Sequence, residues 1–235
     1  MHIGILVTNT DRSDFAKARP TDGEKFRALL QPLRPDWQFT AVLVRDGEFP
    51  KTIHDFDGYV ITGSPASANG SEAWIEELMG FIRELEVARI PTIGICFGHQ
   101  AIARALGGHV DKNPGGWGFG VSPTHFTAHE TWMQPAQTTV NLYAAHTEQV
   151  IVLPKNAAIL GGSAFCPIGS YKVGDHIFTT EYHQEMTPEF ITDLSHEIEK
   201  SIGNSVAQRA REQFEIPADG KVFAQWMVQF LEMPR

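Results

Sequence analysis

Cysteine is scarce: 235 residues contain only Cys96 and Cys166. One pair cannot build the dense disulfide framework of small secreted folds, and a chain of this length buries enough surface to do without one. Positive charge is in deficit as well. Nineteen Lys and Arg against 28 Asp and Glu give a formal charge of −9, the wrong balance for a protein that grips a phosphate backbone, so no nucleic-acid partner is expected. Long apolar runs are missing. No stretch approaches the roughly 18 residues of a membrane span, so no membrane partner is expected either. The start, Met1-His2-Ile3-Gly4-Ile5-Leu6-Val7 and then polar Thr8-Asn9-Thr10-Asp11-Arg12, lacks the basic opening, long apolar run and cleavage site of a secretory signal. These absences point to a cytoplasmic protein whose cysteines are thiols. There is no internal repeat, low-complexity tract or Pro/Gly/Ser linker, so residues 1–235 read as a single domain.

The first half alternates short runs rich in Ile and Val (residues 3–8, 39–44, 59–62 and 92–95) with helical patterns. Such runs are the mark of parallel strands buried on both faces. Between the last two, Trp74, Leu78, Ile82 and Leu85 line one face of an amphipathic helix over residues 71–88, with Asn69 or Ser71 the expected cap. Strand, crossover helix and strand make the right-handed unit of an open α/β sheet. From about residue 121 to 180, short apolar segments (150–153, 157–160, 177–180) punctuated by Gly, Pro, Asn and Asp predict antiparallel or mixed strands that extend or cover it. After Pro188 the pattern turns helical, with Phe223, Trp226, Met227 and Phe230 forming an apolar stripe best explained as core. The expected architecture is a mixed, mostly parallel sheet with helices on both faces.

The segment richest in chemical information is Ile93-Gly94-Ile95-Cys96-Phe97-Gly98-His99-Gln100, followed by Ala101-Ile102-Ala103-Arg104-Ala105-Leu106 and a Gly pair. An apolar strand ends at Gly-x-Cys-x-Gly and a helix begins at once, the arrangement of a nucleophile elbow. The tight turn tolerates little side chain at the flanking positions and lifts the central residue clear of the sheet. A helix N-terminus there favours thiolate over thiol, and the N–H of Phe97 points where a tetrahedral oxyanion would form. A lone Gly-x-Cys-x-Gly also fits an ordinary strand-to-helix turn, so the rest of the chain must decide.

A cysteine nucleophile needs a histidine base and a group to orient it. Ten histidines are present. In Ile177-Phe178-Thr179-Thr180-Glu181-Tyr182-His183-Gln184-Glu185 an apolar run ends with His and Glu at i and i+2. In extended chain these share a face, so Glu185 can reach the His183 imidazole while Gln184 points away. A surface His beside a Glu means little alone. Its value lies in the elbow, since open α/β sheets place ligands at strand ends.

Other candidates fall away. Cys166, in Ala164-Phe165-Cys166-Pro167, has no helix start behind it and reads as a buried structural thiol. His125, His129, His146 and His176 could be imagined around a metal, but Pro123 and the nearby threonines make the i, i+4 pair at 125 and 129 a poor helix, and no metal is expected. The run Gly115-Gly116-Trp117-Gly118-Phe119-Gly120 lacks the Lys-Ser/Thr of a phosphate loop and reads as a loop that covers substrate.

Together the motifs resemble the class I, or triad-type, glutamine amidotransferases. Gly94 to Gln100 matches that family's Gly-x-Cys-x-Gly-x-Gln, and Glu181-Tyr182-His183-Gln184-Glu185 is similar to its Gln-Phe-His-Pro-Glu. Ile61-Thr62-Gly63-Ser64-Pro65 resembles its oxyanion loop, and Ala145-His146-Thr147-Glu148-Gln149-Val150 its Ser-His-x-x-x-Val stretch. The four segments keep family order from about residue 55 to 185. The resemblance implies a flavodoxin-like fold with Cys96 attacking a γ-carboxamide, His183 protonating the departing ammonia and Glu185 fixing the imidazole. It further implies an oxyanion site at Gly63, Ser64 and Phe97, with Gln100 and His146 contacting the amino-acid end of a small substrate, and no cofactor. Two positions depart from the pattern: Glu181 replaces Gln, and Gln184 replaces Pro. The stretch from Leu106 to Gly118 looks closest to stand-alone members, including γ-glutamyl peptidases as well as partners of the GMP synthase type. Any ammonia acceptor would then be a separate synthetase subunit, or the substrate would be a γ-glutamyl peptide or amine. A binding module that merely kept this fold would be expected to have lost a triad residue, and none is missing.

Overall fold

The computed structural model describes residues 1–234. Its strands are β1 (His2–Leu6), β2 (Gln38–Val42), β3 (Gly58–Ile61), β4 (Thr92–Ile95), β5 (His109–Lys112), β6 (Gly118–Phe126), β7 (Thr139–His146), β8 (Glu148–Val152), β9 (Ala157–Gly162), β10 (Ser170–Val173) and β11 (Ile177–Thr180). Nine of them form one sheet in the order β2-β1-β3-β4-β11-β10-β9-β6-β7, and β5 pairs with β8 in a separate two-stranded ribbon. The block β2-β1-β3-β4-β11 is parallel throughout. The remaining pairings are antiparallel, so β9 and β7 return to the direction of the block and the sheet is mostly parallel, as the sequence predicts.

Residue alternation in the parallel strands sends side chains to two helical layers. Ile3, Ile5, Val60, Ile93, Ile95 and Phe178 face one layer. It comprises α2 (Asp22–Leu30), preceded by the short α1 (Asp14–Lys17), and α8 (Gly220–Leu231). There the predicted stripe Phe223, Trp226, Met227 and Phe230 is buried, with Phe223 stacked on Phe178 at 5.2 Å. Tyr59 and Ile61 face the opposite layer, α3 (Ala73–Ala88) and α4 (Phe97–Ala105). Burying a side chain of this size contributes about 1.5–3 kcal/mol, so these two cores fix the sheet on which the site rests. The C-terminal region adds α5 (Pro188–Glu197), α6 (Glu199–Ile202) and α7 (Asn204–Gln213). Thr187 caps α5 by accepting from Phe190 N–H, with Pro188 in the first turn where its missing N–H costs nothing.

Two local expectations are corrected. The helix expected over residues 71–88 starts at Ala73 with Glu72 at its cap position and no side-chain cap. Asn69 is instead drawn away to donate to Val110 O at 2.9 Å. The strand expected over residues 39–44 ends at Val42, because Val44–Asp46 coils into a 3₁₀ turn closed by Gly47 in the left-handed region.

Candidate active site

Cys96 occupies the turn between β4 and α4 with φ 48° and ψ −106°, a conformation that non-glycine residues avoid. Its backbone is pinned on both sides: the Cys96 N–H donates to Thr180 O at 2.8 Å, and Cys96 O accepts from Gln100 N–H at 3.0 Å. The turn closes because α4 comes directly onto β3, where Gly98 N–H donates to Thr62 O at 3.2 Å. The thiol is 5% exposed. Burial pushes it well above its ordinary range, and the carboxyls of Glu181 and Glu185 act in the same direction; only the N–H of Phe97, which points at the sulfur, pulls the other way. The helix-terminus argument for a resting thiolate is therefore outweighed by desolvation.

β11 runs beside β4 and delivers the second component. Beyond Thr180 the chain stays extended enough for His183 N–H to donate to Tyr143 O at 2.8 Å. Its Nδ1 lies 2.6 Å from Glu185 Oε1, the pair expected from i, i+2 spacing. Gln184 points the other way, its Nε2 donating to the sulfur of Met227. Burial alone would raise the Glu185 carboxyl, but the charge of His183 and the hydrogen bond to it hold it below the ordinary carboxylate range. With Nδ1 engaged by Glu185, the other ring nitrogen is left for chemistry.

Gly63 marks where imidazole and cysteine converge. A Cβ there would lie 2.8 Å from His183 Cε1 and 3.6 Å from the Cβ of Cys96. Only glycine lets both approach the loop. The loop is held by Thr8, whose hydroxyl is 2.9 Å from Thr62 O and 3.0 Å from Gly63 O, so the ends of β1 and β3 are tied together beside the elbow.

Gln100 and His146 lie below the thiol. Gln100 Nε2 donates to Glu148 O and to Glu181 Oε1, each at 2.9 Å. His146, at the end of β7, has its Nδ1 3.0 Å from Glu148 O, and burial lowers its pKa to about 4. Cys166 is buried away from this machinery, its N–H donating to Ser163 Oγ at 3.0 Å.

A cavity of about 440 Å³ opens from Cys96, His183, Gly63 and Ser64. Trp117, from the glycine-rich loop read as a cover, contributes to its wall. Much of the remainder was not anticipated: Phe15 and Ala16 of α1, and Met186, Phe190 and Leu194 on the α5 side. The rule that ligands gather at the carboxyl ends of parallel strands would have flagged the polar run after β1, which leads into α1.

Known proteins agree with this geometry. The profile of the family described as glutamine amidotransferase class-I matches residues 36–194. The chain is 30% identical to γ-glutamyl peptidase 4 of Arabidopsis thaliana over 81% of this chain and 78% of that protein. It is 25% identical to the glutamine-hydrolyzing subunit of the GMP synthase of Halobacterium salinarum over 69% of this chain and 84% of that one. The crystal structure of a glutamine amidotransferase from Thermotoga maritima superposes with a TM-score of 0.77 at 16% identity, covering 99% of this chain and 98% of the other. The chain belongs to the class I glutamine amidotransferase family.

Proposed function

We propose that this chain is a cysteine hydrolase of γ-glutamyl amides, with glutamine the reference substrate. The observation that carries the reading is the convergence at Gly63 of a strained cysteine and a carboxylate-held imidazole. His183 takes the thiol proton as the sulfur of Cys96 attacks the γ-carbonyl carbon, and the oxyanion is held by the N–H of Phe97 and by the loop at Ser64. His183 returns the proton to the nitrogen, the C–N bond breaks and ammonia leaves. Water then cleaves the γ-glutamyl thioester to glutamate. A thiol kept neutral by burial needs such a base at the moment of attack, so His183 acts on the thiol and not merely on the leaving group. We place this chemistry in a reducing cytoplasm, where two free cysteines are stable.

The cavity favours a second reading of the same chemistry. Ammonia needs no room, yet about 440 Å³ of largely apolar space adjoins His183, the residue that must protonate the leaving group. γ-Glutamyl peptides or amines would use it, in line with the name of the Arabidopsis relative. The name of the Halobacterium relative supports the alternative, in which a separate synthetase subunit takes up released ammonia. The test is release of glutamate from glutamine and from a γ-glutamyl dipeptide, by the natural protein and by Cys96→Ala. Equal rates in the two proteins reject Cys96 as nucleophile; activity on the dipeptide alone selects the second reading.

A further inference from the structure

We propose that Glu181 is the counter-charge for the α-ammonium group of the γ-glutamyl substrate, and so a specificity-determining residue of the site. This rests on the reading above. Where the family motif has an uncharged Gln, this chain places a carboxyl, fully buried immediately after β11. The carboxyl lies against the thiol of Cys96. Oε1 accepts from Gln100 Nε2 at 2.9 Å, while Oε2 is buried without a hydrogen-bond partner.

No cation among the described residues completes the site. The nearest candidates are His99 Nε2 at 3.7 Å and His146 Nδ1 at 4.0 Å. Burial lowers His99 to about 3 and His146 to about 4, so both are neutral at physiological pH. The carboxylate of Glu148 only adds negative charge. A buried carboxyl beside a nucleophile with only uncharged or acidic neighbours is half of an ion pair.

Substrate geometry supplies the other half. In a γ-glutamyl group the α-nitrogen is four bonds from the carbonyl carbon that Cys96 attacks, roughly 5 Å away when extended. Gln100 stands one turn of α4 beyond Cys96, a rise of about 5 Å, and Glu181 is bonded to it. Both N–H groups of the Gln100 amide are occupied, by Glu148 O and Glu181 Oε1, leaving its own oxygen as an acceptor. Gln100 Oε1 and Glu181 Oε2 thus offer two acceptors and one negative charge, the complement of an ammonium group.

The experiment compares L-γ-glutamyl-p-nitroanilide with glutaryl-p-nitroanilide, which lacks only the α-amino group, in the natural protein, Glu181→Gln and Glu181→Asp. The natural protein should prefer the amino substrate. Glu181→Gln should lower kcat/KM for it by about 10- to 100-fold, mainly through KM, and leave the glutaryl compound unchanged. Glu181→Asp should restore part of the preference. Equal losses on both substrates would mean that Glu181 merely holds Gln100, and equal gains in kcat that it acts on the thiol; either result, or no change, overturns the proposal. If the natural protein turns over neither compound, it is the hydrolase reading that fails. Calorimetry with L-glutamate and glutarate then decides, because only a preference for glutamate that vanishes in Glu181→Gln upholds the assignment.

Discussion

Replacing Gly98 by alanine should destabilise the protein, although helix propensity argues the reverse. In an unstrained helix alanine gains about 1 kcal/mol over glycine. At Gly98 the new Cβ would lie 2.4 Å from Ile61 O and 2.9 Å from the carbonyl carbon and Cβ of Ile61, while ordinary contact begins at 3.4 Å. The oxygen is therefore roughly 1 Å too close. Ile61 is buried in β3, paired with both β1 and β4, so the helix has to move, stretching the 3.2 Å bond from Gly98 N–H to Thr62 O. Overpacking costs about 1–3 kcal/mol and a weakened buried hydrogen bond about 1 kcal/mol more. Set against the propensity gain, the net loss is about 2 kcal/mol, or roughly 4–8 °C in Tm for a chain of this size. Gly80→Ala is the matched control: it lies within α3, and its Cβ would meet nothing nearer than the Arg83 guanidinium at 3.9 Å. It should raise Tm by a few degrees. Thermal unfolding of the two variants side by side is the assay. If both rise, the steric account of the elbow is wrong.

Further outcomes follow from the same geometry. Glu185→Gln removes the charge that orients His183 and should lower kcat by about a thousandfold with little change in KM, measured as glutamate release. Phe190→Ala enlarges the cavity beside His183 and should cost about tenfold in kcat/KM for γ-glutamyl compounds with apolar leaving groups while sparing glutamine; an equal loss on both would detach this wall from the leaving group. Glu181→Gln should change how stability varies with pH. Burial raises the Glu181 carboxyl well above its ordinary range, so above the unfolded value of about 4.3 the folded state holds a proton that the unfolded chain has released. Stability from this group is present below that value and falls as pH rises. Denaturant unfolding between pH 4 and 8 should therefore show Glu181→Gln gaining on the natural protein as pH increases.

The parallel core was legible because its cues are local. Short Ile/Val runs, an amphipathic crossover and a glycine-flanked cysteine each report constraints imposed within a few residues, and the His183–Glu185 pair follows from the period of extended chain. What stayed hidden depends on distant partners. Nothing in residues 69–73 reveals that Val110, some forty positions away, will claim the Asn69 side chain and leave α3 uncapped. The cavity wall joins α1 to α5, two elements whose own patterns announce only amphipathic helices. The elbow disclosed a helix N-terminus next to sulfur but not the depth of burial or the two carboxyls, which together reverse the expected thiolate.

The segment Glu181-Tyr182-His183-Gln184-Glu185 contains two carboxyls equally spaced about one imidazole, and their surroundings drive them apart. Both are buried. Glu185 meets His183 at 2.6 Å and is held ionised, whereas Glu181 meets an amide, a thiol and neutral histidines and is held protonated. Environments that separate like groups in this way assign them different tasks. The ionised member suits a permanent electrostatic role toward the base. The protonated member carries no charge until a cation arrives, so the empty site avoids a second anion beside the sulfur. Exchanging the two environments would place that anion next to the nucleophile and leave the base without its orienting charge, which is why composition alone, two glutamates flanking a histidine, cannot stand in for the register that β11 imposes.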